Sequence, residues 1–401
     1  MLKTPKGTID YYGETANKLK FAINEIESVF IQNGAKFIDT PTFERKDVLM
    51  GKYGEEAETK LIYELKQDEN GGELLALKYD QTVPFVRFLM QNKIDKIKRY
   101  SISKVYRRDN PNVNQGRYRE FYQADFDIVG ESNENMNSEI IIFEMIDEIL
   151  NKLNINNYTI KVNNTNNLKK ILIDELKINE TMFKNICSTI DKLDKKCFDE
   201  LIDEFKLKNL NDEQIYKLKD ILSSNQIYCE SFKNNLNKIK NICQNDKIQY
   251  DISLARGLDY YNGIIFEVKI DNFGSSVIAG GRYDGIINNN TFIGFSVGLT
   301  RLLNLISIKD DWKDEYYLTT IGNISDDTKF KVVKYLKKTL TRNKILNFNL
   351  TKDKKLGKQI MENVSNKIRY LIIIGEEELK NEYIIIKDLK NNIQENYEIK
   401  F

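Results

Sequence analysis

The chain has 401 residues, with 61 basic and 60 acidic side chains and a formal charge of +1. That length predicts two or three domains with ample core, and 41% hydrophobic residues exclude wholesale disorder. Histidine is absent altogether, which excludes a Ser-His-Asp triad, a Cys-His protease and a His-ligated zinc in any fold.

In chain order, the first predicted element is a helix over 15–32. Leu19, Ala22, Ile23, Ile26, Val29 and Phe30 make one apolar stripe, and Gly34 is placed to end it. An extended stretch over 37–44 follows and contains Pro41. Residues 74–77 read as a strand, and Thr82-Val83-Pro84 opens a helix through Leu89. Strands are predicted over 100–107 and 117–129, joined by a long Asn- and Gly-bearing turn, and an amphipathic helix over 138–153. Residues 165–246 contain no Gly or Pro, carry Cys187, Cys197, Cys229 and Cys243, and read as successive helices interrupting a larger domain. Strand-like sequence with glycines returns over 250–303. A charged linker then precedes about ninety residues of alternating helix and strand.

The cysteines show no C-x-x-C spacing, so ordinary thiols of a reducing compartment are expected. The N-terminus lacks the apolar core of a signal peptide, and the apolar runs are too short to span a bilayer. A cytoplasmic protein follows as the expectation.

Four blocks can carry chemistry. In the strand over 117–129, alternation places Arg117, Arg119, Phe121, Gln123, Asp125 and Asp127 on one face, cationic at one end and anionic at the other. Two readings are open: a solvated antiparallel face with exposed ion pairs, or a surface that binds a zwitterionic amino acid beside a triphosphate. Arg256-Gly257 ahead of Tyr260-Tyr261 is either a loop presenting a guanidinium or a surface turn. Ala279-Gly280-Gly281-Arg282-Tyr283-Asp284 allows close backbone approach but also suits a hairpin. In the segment 294–302 an apolar strand turns into a helix carrying Arg301, which could reach a phosphate.

In this order the four blocks resemble the class II aminoacyl-tRNA synthetases, and more narrowly the histidyl-tRNA synthetases of the eukaryote-like branch. Residues 39–44, with Pro41, match the dimer-forming first motif; 107–127 match the second and 294–301 the third. Residues 256–261 and 279–284 match two signatures of the histidine enzymes, and 353–359 with 371–376 resemble their anticodon-binding domain.

The resemblance implies an α+β fold. An antiparallel catalytic sheet flanked by helices is built from 1–165 and 246–308, with a helical insertion over 166–245 and a C-terminal α/β anticodon-binding domain over 315–401. It implies ATP-dependent ligation of L-histidine to tRNA(His) through an enzyme-bound adenylate, with magnesium (Mg2+) carried by ATP, in a homodimer. By the same resemblance Arg107 holds the ATP α-phosphate, Asp109 faces the adenine end and Arg301 takes the γ-phosphate. Asp80, Thr82 and Gln123 correspond to residues holding the substrate amino group. Asp127, Tyr261 and Tyr283 fall around the imidazole, and Arg117 and Arg256 beside the reacting carboxylate and α-phosphate. Fixed guanidiniums stabilise the charge that builds on phosphate oxygens without any titrating side chain.

Thr300 departs from the acidic residue usual before Arg301, and the insertion is shorter than in many eukaryote-like relatives. Basic clusters at Lys93, Lys96, Lys98 and Arg99, and at Lys337, Lys338 and Arg342, are candidate RNA-backbone contacts. The rival readings are a catalytically weak, synthetase-like tRNA-binding or regulatory protein, and a related enzyme with another amino-acid specificity.

Overall fold

The computed structural model describes residues 2–50, 61–66, 72–113, 116–131, 136–257, 260–287, 289–307, 312–340, 346–348 and 355–399. It divides into two compact units, Met1–Ile308 and Lys309–Phe401.

Ten strands of the first unit are β1 (Lys36–Phe37), β2 (Phe43–Arg45), β3 (Leu75–Leu77), β4 (Ile97–Tyr106), β5 (Glu120–Val129), β6 (Tyr158–Asn164), β7 (Ile248–Tyr250), β8 (Ile264–Ile270), β9 (Ile278–Arg282) and β10 (Phe292–Val297). Eight of them form one sheet in the order β1-β4-β5-β10-β9-β8-β6-β7. The interior pairings are antiparallel, and only the edge pairs β1/β4 and β6/β7 are parallel.

One face of this sheet is apolar. Ala124, Phe126 and Ile128 of β5, Phe295 of β10 and Phe266 of β8 pack with helices Glu14–Gln32 and Asn137–Lys152. The predicted stripe is the reason: Leu19, Ala22, Ile26, Val29 and Phe30 are all buried, so the first helix lies flat on the sheet. Gly34 has φ +78, and its amide donates to the Ile31 carbonyl at 2.9 Å. The helix ends there as predicted.

The segment predicted as successive helices is a series of short helices joined by turns, from Thr165–Lys169 to Glu230–Cys243. Its apolar residues part into two groups. Leu168, Ile171, Leu172, Ile186, Phe205 and Leu218 share a separate core with Leu254 and Ala255. Phe232, Leu236 and Ile239 of the last helix join the core of the large sheet. All four cysteines are free thiols.

The second unit holds β11 (Lys313–Thr320), β12 (Leu346–Phe348), β13 (Ile368–Ile374), β14 (Tyr383–Asp388) and β15 (Ile393–Glu398), ordered β12-β11-β13-β14-β15. β11 pairs in parallel with both neighbours, and β13, β14 and β15 are antiparallel. Val332, Val333 and Leu336 of helix Asp326–Thr339 pack on Leu318, Ile372 and Ile374. Among the described residues, no helix is long and apolar enough to cross a membrane.

Candidate functional site

The second face of the large sheet is polar, and strand register explains why it is hollow. Directly paired residues share a face. Asp127 of β5 lies opposite Arg99 of β4 and Gly294 of β10, and Asp125 lies opposite Ser101 and Ser296. Continuing across the sheet, Gly294 pairs with Gly281 and Ser296 with Ala279. Thus glycine, alanine and serine occupy the middle of this face, and side chains leave room above it.

Over the hollow stands a cavity of about 360 Å³ lined by Tyr79, Asp80, Thr82, Arg107, Gln123, Asp125, Gly257, Tyr260, Tyr261 and Ser296. Tyr261 lies close over Gly281, where a Cβ would stand 2.8 Å from its ring. Gly294 is equally constrained, since a Cβ there would collide with the Asp127 carboxylate. The Gly-Gly pair therefore sits within β9 and makes no hairpin.

The predicted residues distribute over this cavity in three groups. Asp80, Thr82, Arg107, Gln123 and Tyr261 line it. Asp80 accepts from the Val83 amide at 3.0 Å and fixes the start of helix Thr82–Asn92. Thr82 is hydrogen-bonded with Tyr260. Arg107 donates to the Tyr79 carbonyl at 3.1 Å and to Gln123 Oε1 at 3.2 Å. Gln123 in turn donates to Ser296 and Asp125.

Asp127 and Tyr283 form the layer behind the cavity wall. Tyr283 is 1% exposed, donates to Asp127 Oδ1 and stacks on Tyr260 at 4.8 Å. Asp127 Oδ2 is 2.7 Å from Arg99. Arg99 is 1% exposed and lies 4.2 Å from the centre of the Phe85 ring. It is therefore no part of a surface basic cluster. Lys96 of that cluster pairs with Glu131, and Arg342 of the other lies outside the described residues.

The third group is cationic. Arg301 donates from Nε to the Gly116 carbonyl at 3.1 Å and from NH1 to the Ser276 carbonyl at 2.7 Å. Its guanidinium is pulled down to about 10, by burial first and then by Arg107, Arg256 and Arg117. Four like charges thus share one neighbourhood, and among the described residues no carboxylate pairs with Arg301, Arg107 or Arg117. Arg256 is held differently: its NH1 donates to Glu267 Oε2 at 2.6 Å and to Ser276 Oγ at 2.9 Å. Asp109 is exposed beyond the cavity, where its Oδ1 accepts from the Asn110 amide at 2.8 Å.

Two sequence expectations change. Arg117 and Arg119 precede β5, which begins at Glu120: the Arg119 carbonyl accepts from the Arg107 amide at 2.8 Å, and Arg117 bridges Asn112. The reading of β5 as a solvated face fails, since Gln123, Asp125 and Asp127 are all buried. Thr300 is also buried; its Oγ1 accepts from the Tyr122 amide and is hydrogen-bonded with Tyr11. Arg301 is anchored by two carbonyls, so its orientation does not depend on an acidic neighbour.

Sequence reasoning missed Asp125, Arg99, Tyr79 and Ser296 as site residues. The i, i+2 alternation through Gln123, Asp125 and Asp127 was the available signal. Asp125 accepts from Ser296, and burial pushes its carboxyl from 3.8 up to about 7; Arg99 opposes that rise and Asp127 adds to it. Between these values the unfolded chain has released the proton that the folded chain retains, so stability falls as pH rises through the window. Asp125→Asn removes this burden while keeping an acceptor for Ser296. The ligand-free variant melts about 3 °C or more above wild type at pH 8, with the gain fading towards pH 4.5, in thermal melts across pH.

An interior antiparallel sheet with a polar hollow, acids at one end and convergent arginines at the other is the arrangement that the resemblance to class II synthetases implies. The family model described as "Histidyl-tRNA synthetase" matches residues 7–302, and one described as "Anticodon binding domain" matches 318–401. The chain belongs to the histidyl-tRNA synthetase family. A "Probable histidine--tRNA ligase, cytoplasmic" of Vairimorpha ceranae is 38% identical, with 98% of this chain and 96% of that protein covered. The "Histidine--tRNA ligase, cytoplasmic" of Takifugu rubripes is 36% identical, covering 97% and 84%. Among solved structures, histidyl-tRNA synthetase from Nostoc has a TM-score of 0.77 at 25% identity, covering 99% of this chain and 97% of that one.

Proposed function

We propose that this cavity activates L-histidine with ATP and that the chain ligates the amino acid to tRNA(His). The observation that carries this reading is the convergence of Arg301, Arg107, Arg117 and Arg256 beside an acid-lined cavity. Mutually repelling guanidiniums are held together at a cost that a polyanion relieves. The triphosphate lies along the arginines, with Arg107 at the α-phosphate, Arg301 at the γ-phosphate and Asp109 towards the adenine. The amino acid sits over the small-residue hollow, its ammonium group met by Asp80, Thr82 and Gln123. Its ring faces Tyr261, backed by Tyr283 and Asp127.

The amino-acid carboxylate attacks the α-phosphorus in line, the bond to the bridging oxygen breaks, and pyrophosphate leaves. Charge growing on the phosphate oxygens is met by Arg107, Arg117 and Arg256, already oriented and permanently protonated. In the second step the tRNA terminal hydroxyl attacks the carbonyl carbon and AMP leaves. The hydroxyl proton passes to a phosphate oxygen, so neither step needs an imidazole on the enzyme.

Among the described residues no group of three or more acidic or sulfur ligands is placed to hold a metal, and Glu267 is engaged by Arg256. Magnesium, as the resemblance implies, would be carried into the site by ATP. The second unit binds the anticodon, residues 166–245 act as an insertion near the acceptor end, and two copies pair through 39–44 in the cytoplasm.

The test is histidine-dependent exchange of pyrophosphate into ATP by the purified chain. Exchange is expected with histidine and with no other standard amino acid, and Arg256→Ala lowers it by about 100-fold. A wild-type chain without exchange refutes the enzyme reading in favour of a regulatory protein. A fully active Arg256→Ala variant refutes the role of that arginine alone.

A further inference from the structure

The loop that carries Arg256 rests on the helical insertion as well as on the sheet. Leu254 and Ala255 are buried in the insertion's own apolar core beside Leu168, Ile186 and Phe205. From the sheet side, Asn163 donates to the carbonyls of Ile252 and Leu254 at 3.2 and 3.0 Å. Asn225 of the insertion accepts from the Ile252 amide at 2.9 Å.

A second link is ionic. Glu267 Oε2 takes Arg256, and Glu267 Oε1 is 3.5 Å from Lys269 Nζ. The same ammonium group pairs with Asp194, at the end of the one-turn helix Asp191–Asp194 in the insertion. A small cleft of about 60 Å³ beside this link is lined by Asp194, Glu267 and Arg256 together with Asp191, Lys195, Lys161 and Asp251. Glu267 is buried and Lys269 half-buried, so these charges act on one another with little screening.

We propose that the insertion sets the availability of Arg256 through the chain Asp194–Lys269–Glu267, which makes Lys269 and Asp194 positioning residues for adenylate formation. The inference rests on the reading of Arg256 given above. Lys269 neutralises part of the Glu267 charge and so loosens its hold on Arg256. Asp194 competes for Lys269 from the insertion side. The two substitutions therefore act in opposite directions, which a merely structural role does not produce.

With the full-length chain, Lys269→Met is expected to lower kcat for pyrophosphate exchange by roughly tenfold, with the KM for histidine within about twofold. Lys269→Arg restores the rate. Asp194→Asn, which removes the ion pair from the insertion side and leaves Lys269 to Glu267 and the more distant Asp191, holds the rate at or above wild type. Lys269→Gln serves where Lys269→Met does not fold, as judged by thermal melts. A Lys269 variant that folds and exchanges within twofold of wild type overturns the proposal, as does an Asp194→Asn rate that falls alongside it. Failure of wild type to exchange instead removes the underlying functional reading, so the two failures are distinct.

Discussion

Arg301→Ala lowers histidine-dependent pyrophosphate exchange by about 100- to 1000-fold, the loss typical of one preorganised donor at a developing negative charge. Arg301 is fixed by the Gly116 and Ser276 carbonyls, from two of its three nitrogens. Gly116 makes the fit possible, because a Cβ there would stand 2.7 Å from Arg301 Cγ. Lysine cannot reproduce two diverging donors, so Arg301→Lys recovers little of the rate. Arg301→Ala, unlike Arg301→Lys, also relieves repulsion among Arg301, Arg107, Arg256 and Arg117. The ligand-free alanine variant therefore melts no lower than wild type, while its stabilisation by added ATP is lost. A variant that retains both exchange and ATP-induced stabilisation removes Arg301 from the phosphate site. A variant that unfolds early points instead to a structural role.

The second large effect concerns stability. Asp127→Ala removes the only carboxylate paired with Arg99 among the described residues, at a site where both side chains are almost fully buried. A stranded buried charge costs about 3–5 kcal/mol. Tyr283 also loses its acceptor. Chemical denaturation should register a loss of that size, with little exchange activity remaining. The double variant Asp127→Ala/Arg99→Met leaves no charge uncompensated and recovers much of the stability, although not the activity. If Asp127→Ala alone unfolds as wild type does, the pair contributes nothing and Arg99 is solvated by another route. Arg99 also approaches the Gln81 carbonyl at 3.4 Å, a single weak contact that cannot replace a carboxylate.

Together these variants separate two halves of the same face. At the Arg301 end, Arg301, Arg107 and Arg117 stand without carboxylate partners among the described residues, and only Arg256 is matched, by Glu267. At the Asp127 end, Asp127 is matched across the β4/β5 pair by Arg99. The cavity lies between, and in the proposed function the amino acid enters it with its ammonium group towards Asp80 and its carboxylate towards the arginines. Asp125 is the intermediate case, an acid that burial has made reluctant to ionise.

Much of this was legible in the primary structure. Local patterns specified the helix Glu14–Gln32, the helix Asn137–Lys152, the paired strands β4 and β5, and an all-helical segment after residue 165. Each signal is short-range: a stripe recurring every three or four residues, an alternation of two, or a glycine where the chain must turn. The motif order was equally readable, because it is a property of the chain and not of its folding. Tertiary structure alone decided which strands became neighbours. β10, almost 170 residues beyond β5, lies beside it and brings Gly294 and Ser296 opposite Asp127 and Asp125. That single pairing opens the hollow. It also buries a strand that alternation by itself presented as half-solvated, and raises the Asp125 carboxyl. Arg99, which read as one basic residue among several on a surface, became the buried partner of Asp127 through the β4/β5 register. Periodicity assigns a side chain to a face, but burial and charge pairing depend on what covers that face, and long-range strand order determines the covering.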